Sequence, residues 1–232
     1  MTSNMKIKVC GMRQAQNLKD LTALNPDYIG FIFYDKSNRF VAEFPQVCID
    51  KSIQKVGVFV NETIETVIGI VKKHQLNAVQ LHGDESVGYC EELKRIVAGK
   101  RSLSGVETSR SESNVIVTPL NHQLEIIKAF SVNEHFDFSV TKAYEPFCDL
   151  FLFDTKGKEY GGNGVKYDWR ILENYKGEIL FLLSGGISAA DADAIKEFGH
   201  NKCIGLDLNS GFEDVPGVKN IGKLKTFFKE VK

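Results

Sequence analysis

Long apolar runs are missing from this chain of 232 residues. The longest unbroken stretch of apolar residues and glycine, Tyr28 to Tyr34, falls far short of the ~18 residues needed to cross a bilayer, so no membrane span is expected. Proline is scarce, with 5 residues against 20 glycines, in a composition that is 43% apolar and 25% charged. That balance excludes collagen-like and disordered chains. Charge of one sign is not in excess either: 29 Lys and Arg against 30 Asp and Glu leave a formal net charge of −1. No global field draws polyanions, so neither nucleic acid nor an anionic membrane surface is expected as a partner. Cysteines are few and scattered (Cys10, Cys48, Cys90, Cys148, Cys203), with no C-x-x-C pair to suggest zinc or redox chemistry. They read as free thiols in a reducing compartment. The segment Met1 to Val9 lacks the ~7–15-residue apolar region of a secretory signal, so a cytoplasmic location is expected.

What the chain does have is a succession of short apolar blocks bounded by Gly, Asn, Asp or Lys, the pattern of strands buried on both faces. They are Lys6–Cys10, Tyr28–Phe33, Lys55–Val60, Ala78–Leu81, Glu125–Phe130, Leu150–Phe153, Ile179–Leu183 and Cys203–Leu208. Helical periodicity fills most of the gaps. Ile64, Val67, Ile68 and Val71 share one face, as do Cys90, Leu93 and Val97, and then Ile221, Leu224, Phe228 and Val231. Strands alternating with helices imply parallel pairing through right-handed crossovers. Such units predict an α/β fold of a single domain, 1–232, with eight of them closing a (β/α)₈ barrel. The gap between Ala78–Leu81 and Glu125–Phe130 is nearly twice the usual length, and Asn114–Leu120 within it has strand character. A ninth strand would favour an open doubly wound sheet, but no G-x-G-x-x-G follows the first strand. Periodicity therefore prefers the barrel, with an insertion at about 97–122 between units four and five.

Barrel enzymes carry their chemistry at the carboxyl ends of the strands. The first strand ends in Cys10-Gly11, which reads either as a partly exposed base or nucleophile or as a small buried hydrophobe. Leu150–Phe153 runs into Asp154, placed either as a general acid at the barrel mouth or as a turn-forming residue. After the second strand come Lys36 and Arg39. Arg39 suits a substrate carboxylate through its planar fork, a solvated loop being the alternative. Gln80 and His82 end the fourth strand, with His82 a candidate for ligand, acid–base or positioning work. Gly185 and Gly186 follow the seventh strand, with Ser188 and Asp191 as capping residues, and Asn209-Ser210-Gly211 follow the eighth. Glycines in these two loops admit a phosphate close to main-chain amides, at the recurrent phosphate position of such barrels. A further cluster, Gly161-Gly162-Asn163-Gly164, reads as a loop near Asp154 or as a simple turn.

Taken in order, these blocks resemble the phosphoribosylanthranilate isomerases of tryptophan biosynthesis. The resemblance rests on Lys8-Val9-Cys10-Gly11, Gly30-Phe31-Ile32-Phe33-Tyr34, Lys36-Ser37-Asn38-Arg39-Phe40, Val79-Gln80-Leu81-His82-Gly83, Asp154-Thr155, Leu183-Ser184-Gly185-Gly186 and Asp207-Leu208-Asn209-Ser210-Gly211-Phe212-Glu213. It covers most of the chain and implies eight strands. The departures are the insertion, Asn163, Ile187 and Asn209.

The resemblance implies an Amadori rearrangement of a phosphorylated aminoaldose, needing neither metal nor organic cofactor. It implies Asp154 as general acid toward the furanose ring oxygen and Cys10 as general base at C2′. Arg39 would hold the anthranilate carboxylate, with Gln80, His82 and Asp207 also binding substrate. Gly185, Gly186, Asn209, Ser210 and Gly211 would bind phosphate. The partner is then the small molecule phosphoribosylanthranilate, and the protein a monomer or homodimer. A thiol with its usual pKa of about 8.5 is mostly protonated at pH 7. A Cys10 base therefore requires a lowered pKa or an activity that rises into the alkaline range.

Overall fold

The computed structural model describes residues 5–99, 123–155 and 168–232. Its strands are β1 (Lys6–Val9), β2 (Tyr28–Ile32), β3 (Gln54–Phe59), β4 (Ala78–Leu81), β5 (Glu125–Val132), β6 (Leu150–Thr155), β7 (Phe181–Leu183) and β8 (Cys203–Leu208). They pair in chain order and all in parallel, and β8 returns to β1 to close the barrel. The closing register sets Lys8 beside Asp207 and Val9 beside Leu208.

The two-residue period of each strand sorts its side chains between two cores. Tyr28, Val56, Ala78, Ile127, Ala129, Leu150, Leu152 and Leu182 fill the barrel interior. Ile7, Val9, Ile29, Phe31, Val79, Leu81, Phe151, Phe153 and Leu206 belong to the larger layer between strands and covering elements. Cys10, Ile32 and Val58 form a third, small cluster with Tyr34 packed against it.

The covering layer is less regular than the sequence pattern suggests. The helices are α1 (Ala15–Thr22), α2 (Ile64–His74), α3 (Val87–Val97), α4 (Ala192–Glu197) and α5 (Ile221–Val231). Thr63, Ser86 and Asn220 cap α2, α3 and α5, each accepting an amide hydrogen bond from the first turn. Of the expected apolar stripes, Val67, Ile68 and Val71 on α2, Cys90 and Leu93 on α3, and Leu224 and Phe228 on α5 are buried, while Ile64, Val97, Ile221 and Val231 at the stripe ends are half-buried. No helix follows β2. There Phe44 covers the strand instead, its ring 4.6 Å from Phe31 and stacked at 4.3 Å on His74. Pro45, with no amide hydrogen to give a helix, follows directly. Units five and six are covered by 3₁₀ turns, Phe138–Tyr144 and Trp169–Asn174. Among the described residues no helix is long and apolar enough to cross a membrane. The expected strand at Asn114–Leu120, nearly all of the 97–122 insertion and the Gly161–Gly164 cluster lie outside the described residues.

Candidate active site

At the carboxyl end of the barrel the strands surround a partly open pocket. Cys10, Arg39, Gln80, His82, Asp154, Gly185, Gly186, Asp207, Asn209 and Ser210 all line it. Gly211 does not. It stands behind the wall, where an added Cβ would lie 2.1 Å from the Ile187 carbonyl oxygen, so its bare backbone lets the loop after β8 pack against the loop after β7. Lys36 is exposed and does not reach the cavity. Gly185 and Gly186 adopt φ of 97° and 65°, a region that disfavours side chains, and leave main chain bare in the cavity wall. Ser188 donates through its amide (2.7 Å) and its hydroxyl (2.8 Å) to Asp191, fixing the turn that follows these glycines.

Asp154 lies within β6 rather than beyond its end. Its Oδ1 accepts the Thr155 amide hydrogen at 2.8 Å and stands 3.3 Å from the Ser184 hydroxyl. Its Oδ2 is 3.3 Å from His82 Nε2. On the far side of that ring, Gln80 Nε2 is 2.6 Å from His82 Nδ1. A carboxamide donating to Nδ1 puts the imidazole proton on Nε2, where it points at Asp154. Gln80 thus orients His82, and His82 with Ser184 fixes the carboxyl group that faces the cavity.

Cys10 corrects the expectation of partial exposure, for it is buried, with only 3% of its surface accessible. Its sulfur tucks against β2, where a Cβ on Gly30 would come within 2.7 Å of it. Burial pushes the thiol pKa up. Lys8 and Lys219 oppose that rise without cancelling it, and Asp207 adds to it. That direction runs against a lowered thiol pKa and favours the alkaline alternative.

Arg39 also differs from expectation. Its planar fork is already occupied by Glu213, with Nε at 2.9 and 3.1 Å from the two carboxylate oxygens and Nη2 at 2.7 Å. Glu213 in turn holds Lys219, whose ammonium also donates to Asn209 Oδ1 at 2.8 Å. Burial alone would raise the Glu213 pKa, but Arg39 and Lys219 hold it below its ordinary value. Glu213 belongs to the hairpin of β9 (Glu213–Val215) and β10 (Val218–Lys219), so this cluster ties the loop after β2 to the loop after β8. Gly11, at φ 79°, is needed beside it, because a Cβ there would lie 2.8 Å from Arg39 Cδ. Replacing Glu213 by Gln leaves Arg39 and Lys219 without their shared anion. The expected cost is about 3–5 kcal/mol. Calorimetry should show a fall in Tm on the order of 10 °C, together with a weakened substrate KM.

Sequence reasoning passed over Lys8, Ser184, Glu213 and Lys219 as individual functional residues. Lys8 had a signal: in β1 the two-residue period puts it on the same inward face as Cys10, a place where an unpaired lysine would be costly. Glu213 ends one of the blocks that carry the resemblance, but its pairing with Arg39, 174 positions away, leaves no local signal. Among the described residues no group of three or more His, Cys, Asp or Glu is placed to hold a metal ion.

The arrangement offers a thiol on one wall, an oriented carboxyl on another and two glycine-containing loops between them. The family model for N-(5′-phosphoribosyl)anthranilate isomerase matches residues 7–104 and 91–230. The chain is 44% identical to the N-(5′-phosphoribosyl)anthranilate isomerase of Parabacteroides distasonis, over 98% of this chain and 93% of the relative. Among solved structures, the phosphoribosyl anthranilate isomerase of Thermotoga maritima is similar at a TM-score of 0.74, with 28% identity and 98% of each chain covered. A phosphoribosyl anthranilate isomerase in complex with reduced 1-(o-carboxyphenylamino)-1-deoxyribulose 5-phosphate is similar at a TM-score of 0.71, with 25% identity and 98% of each chain covered.

Proposed function

The chain belongs to the N-(5′-phosphoribosyl)anthranilate isomerase family, acting as an isomerase of tryptophan biosynthesis, and from that premise we propose how its own residues divide the reaction. Asp154 is the general acid. Held by Thr155, Ser184 and His82, it gives a proton to the furanose ring oxygen, and the ring opens to a Schiff base. Cys10 is the general base. Its thiolate removes the C2′ proton, and the resulting enolamine tautomerises to the ketone. The bare main chain at Gly185 and Gly186, with Asn209 and Ser210, receives the phosphate. Arg39, kept rigid by Glu213, presents what remains of its guanidinium to the anthranilate carboxylate. Gln80, His82 and Asp207 complete the substrate-binding wall, and Gly211 supports it from behind.

The observation that carries this reading is the shared cavity. An oriented carboxyl from β6 and a thiol from the end of β1 open onto one space that the loops after β7 and β8 also line, which suits a small phosphorylated sugar attacked at two atoms. In the same reading the chain is one barrel domain working in the cytoplasm as a monomer or homodimer, on a small-molecule substrate and without a cofactor.

Two measurements test it. The purified protein should convert phosphoribosylanthranilate to the aminoketose, and the chain should restore growth to a tryptophan-requiring strain blocked at this step. Failure of both would overturn it. The raised thiol pKa adds a signed prediction. In an Asp154→Asn variant, where no proton on the acid is required, only the thiolate fraction is competent, so the residual kcat/KM should climb about tenfold per pH unit from pH 7 to beyond pH 8. A flat profile over that range would remove Cys10 from the role of base.

A further inference from the structure

Beneath the cavity two opposite charges are sunk into the barrel. Lys8 lies in β1 two residues before Cys10, on the same inward face, and its side chain is fully buried. Its ammonium stands 2.7 Å from Oδ1 of Asp207, which is also buried, across the closing register of β1 and β8. The charge of the same ammonium acts on the Cys10 sulfur, two residues further along the same inward face. A buried ion pair seldom outperforms well-packed apolar residues as a source of stability. Much of the surrounding interior is built of just such residues, including Val56, Leu152 and Leu182. The pair sits where the interior meets the thiol.

We propose that Lys8 is a positioning residue for the Cys10 base: tethered by Asp207 on the inward face that Cys10 shares, its ammonium balances the charge of the thiolate. This rests on the reading of Cys10 as base. The charge count shows what is at stake. With Lys8 present, the trio of Lys8, Asp207 and Cys10 carries one net negative charge as thiolate and none as thiol. Without it the same two states carry two and one, in an interior where unbalanced charge is expensive. The groups facing the sulfur are Lys8 from β1, Asp207 from β8 and Lys219 from β10, so Lys8 and Lys219 favour the thiolate while Asp207 opposes it. During turnover Cys10 takes the C2′ proton and becomes a thiol as the electron pair passes into the substrate. Lys8 then keeps its proton and is left neutralising Asp207 alone.

The test reads Cys10 directly, without substrate. Iodoacetamide alkylation of the full-length protein is followed against pH, with the Cys10 peptide quantified by mass spectrometry and the exposed Cys48 serving as internal control. Lys8→Met should slow Cys10 alkylation at pH 8 at least tenfold and move its rise to higher pH. Asp207→Asn, which removes the opposing anion, should do the reverse, and Lys8→Arg should stay close to the parent protein. Cys48 should react alike in all of them. An unchanged Cys10 rate in Lys8→Met, or a shift of Lys8→Met and Asp207→Asn in the same direction, would overturn the proposal. Should Lys8→Met fail to fold, the same judgement falls on Asp207→Asn, where a slowed or unchanged rate would overturn it. Failure of the base assignment itself appears elsewhere, as an active Cys10→Ala enzyme, and leaves these alkylation profiles as they are.

Discussion

Replacing Cys10 with Ala should reduce kcat by roughly 10²–10⁴-fold while the protein stays folded. In the proposed division of the reaction, the loss follows from removing the group that would accept the C2′ proton. The surrounding wall should survive, because the sulfur fills a niche beside Gly30 whose loss leaves only a small void. Steady-state kinetics separate this from collapse of the site: KM should change little, since the glycine loops and Arg39 remain. Far-ultraviolet circular dichroism and Tm should match the parent protein. Turnover at the parental rate would exclude a thiol base.

The second large effect is expected at Asp154. Asn in its place preserves shape, and its amide oxygen can still accept the Thr155 hydrogen bond that now runs at 2.8 Å. It has no acidic proton to give, so ring opening should slow by a similar 10²–10⁴-fold. The two variants should differ in pH response. Cys10→Ala has no thiol to produce an alkaline rise in kcat/KM, whereas the residual activity of Asp154→Asn should show that rise, because the thiol alone then governs it. Parallel pH profiles in the two variants would contradict the division of labour between acid and base.

Much of this architecture was legible in the chain itself, for a physical reason. Strands buried on both faces must be continuously apolar, and the blocks read from that rule fall within two residues of every strand start. The helices α2, α3 and α5 were equally visible because each has one wet face and one buried one. The covering of β2 was not visible. Phe44 does there what a helix does elsewhere, and nothing periodic marks a single ring stacked on His74. Most of the cavity wall could also be read, because chemistry-bearing residues at strand ends can be found by position alone.

What stayed hidden was pairing across the sequence. Arg39 and Glu213 are 174 positions apart, and Lys8 and Asp207 are 199 apart. Reading Arg39 without Glu213 gave a free fork where the structure has an occupied one. Cys10 read either as a partly exposed thiol or as a buried one, and only its place beneath the mouth decides for burial. In both cases the residue type was informative and its neighbours were supplied by closure of the barrel.

That closure has a consequence for how the molecule comes alive. The seam between β1 and β8 joins nearly the first strand residues to be synthesised with nearly the last, and Cys10 stands at its upper end. A chain that has folded seven strands owns the thiol but not Asp207, nor the hairpin that steadies Arg39. Catalysis therefore reports on completion: the thiol, Asp207 and the hairpin stand together only once the seam is closed. Contacts of such long range are slow to make. A lag between the burial of most of the core and the first product formed would be the kinetic imprint of that seam.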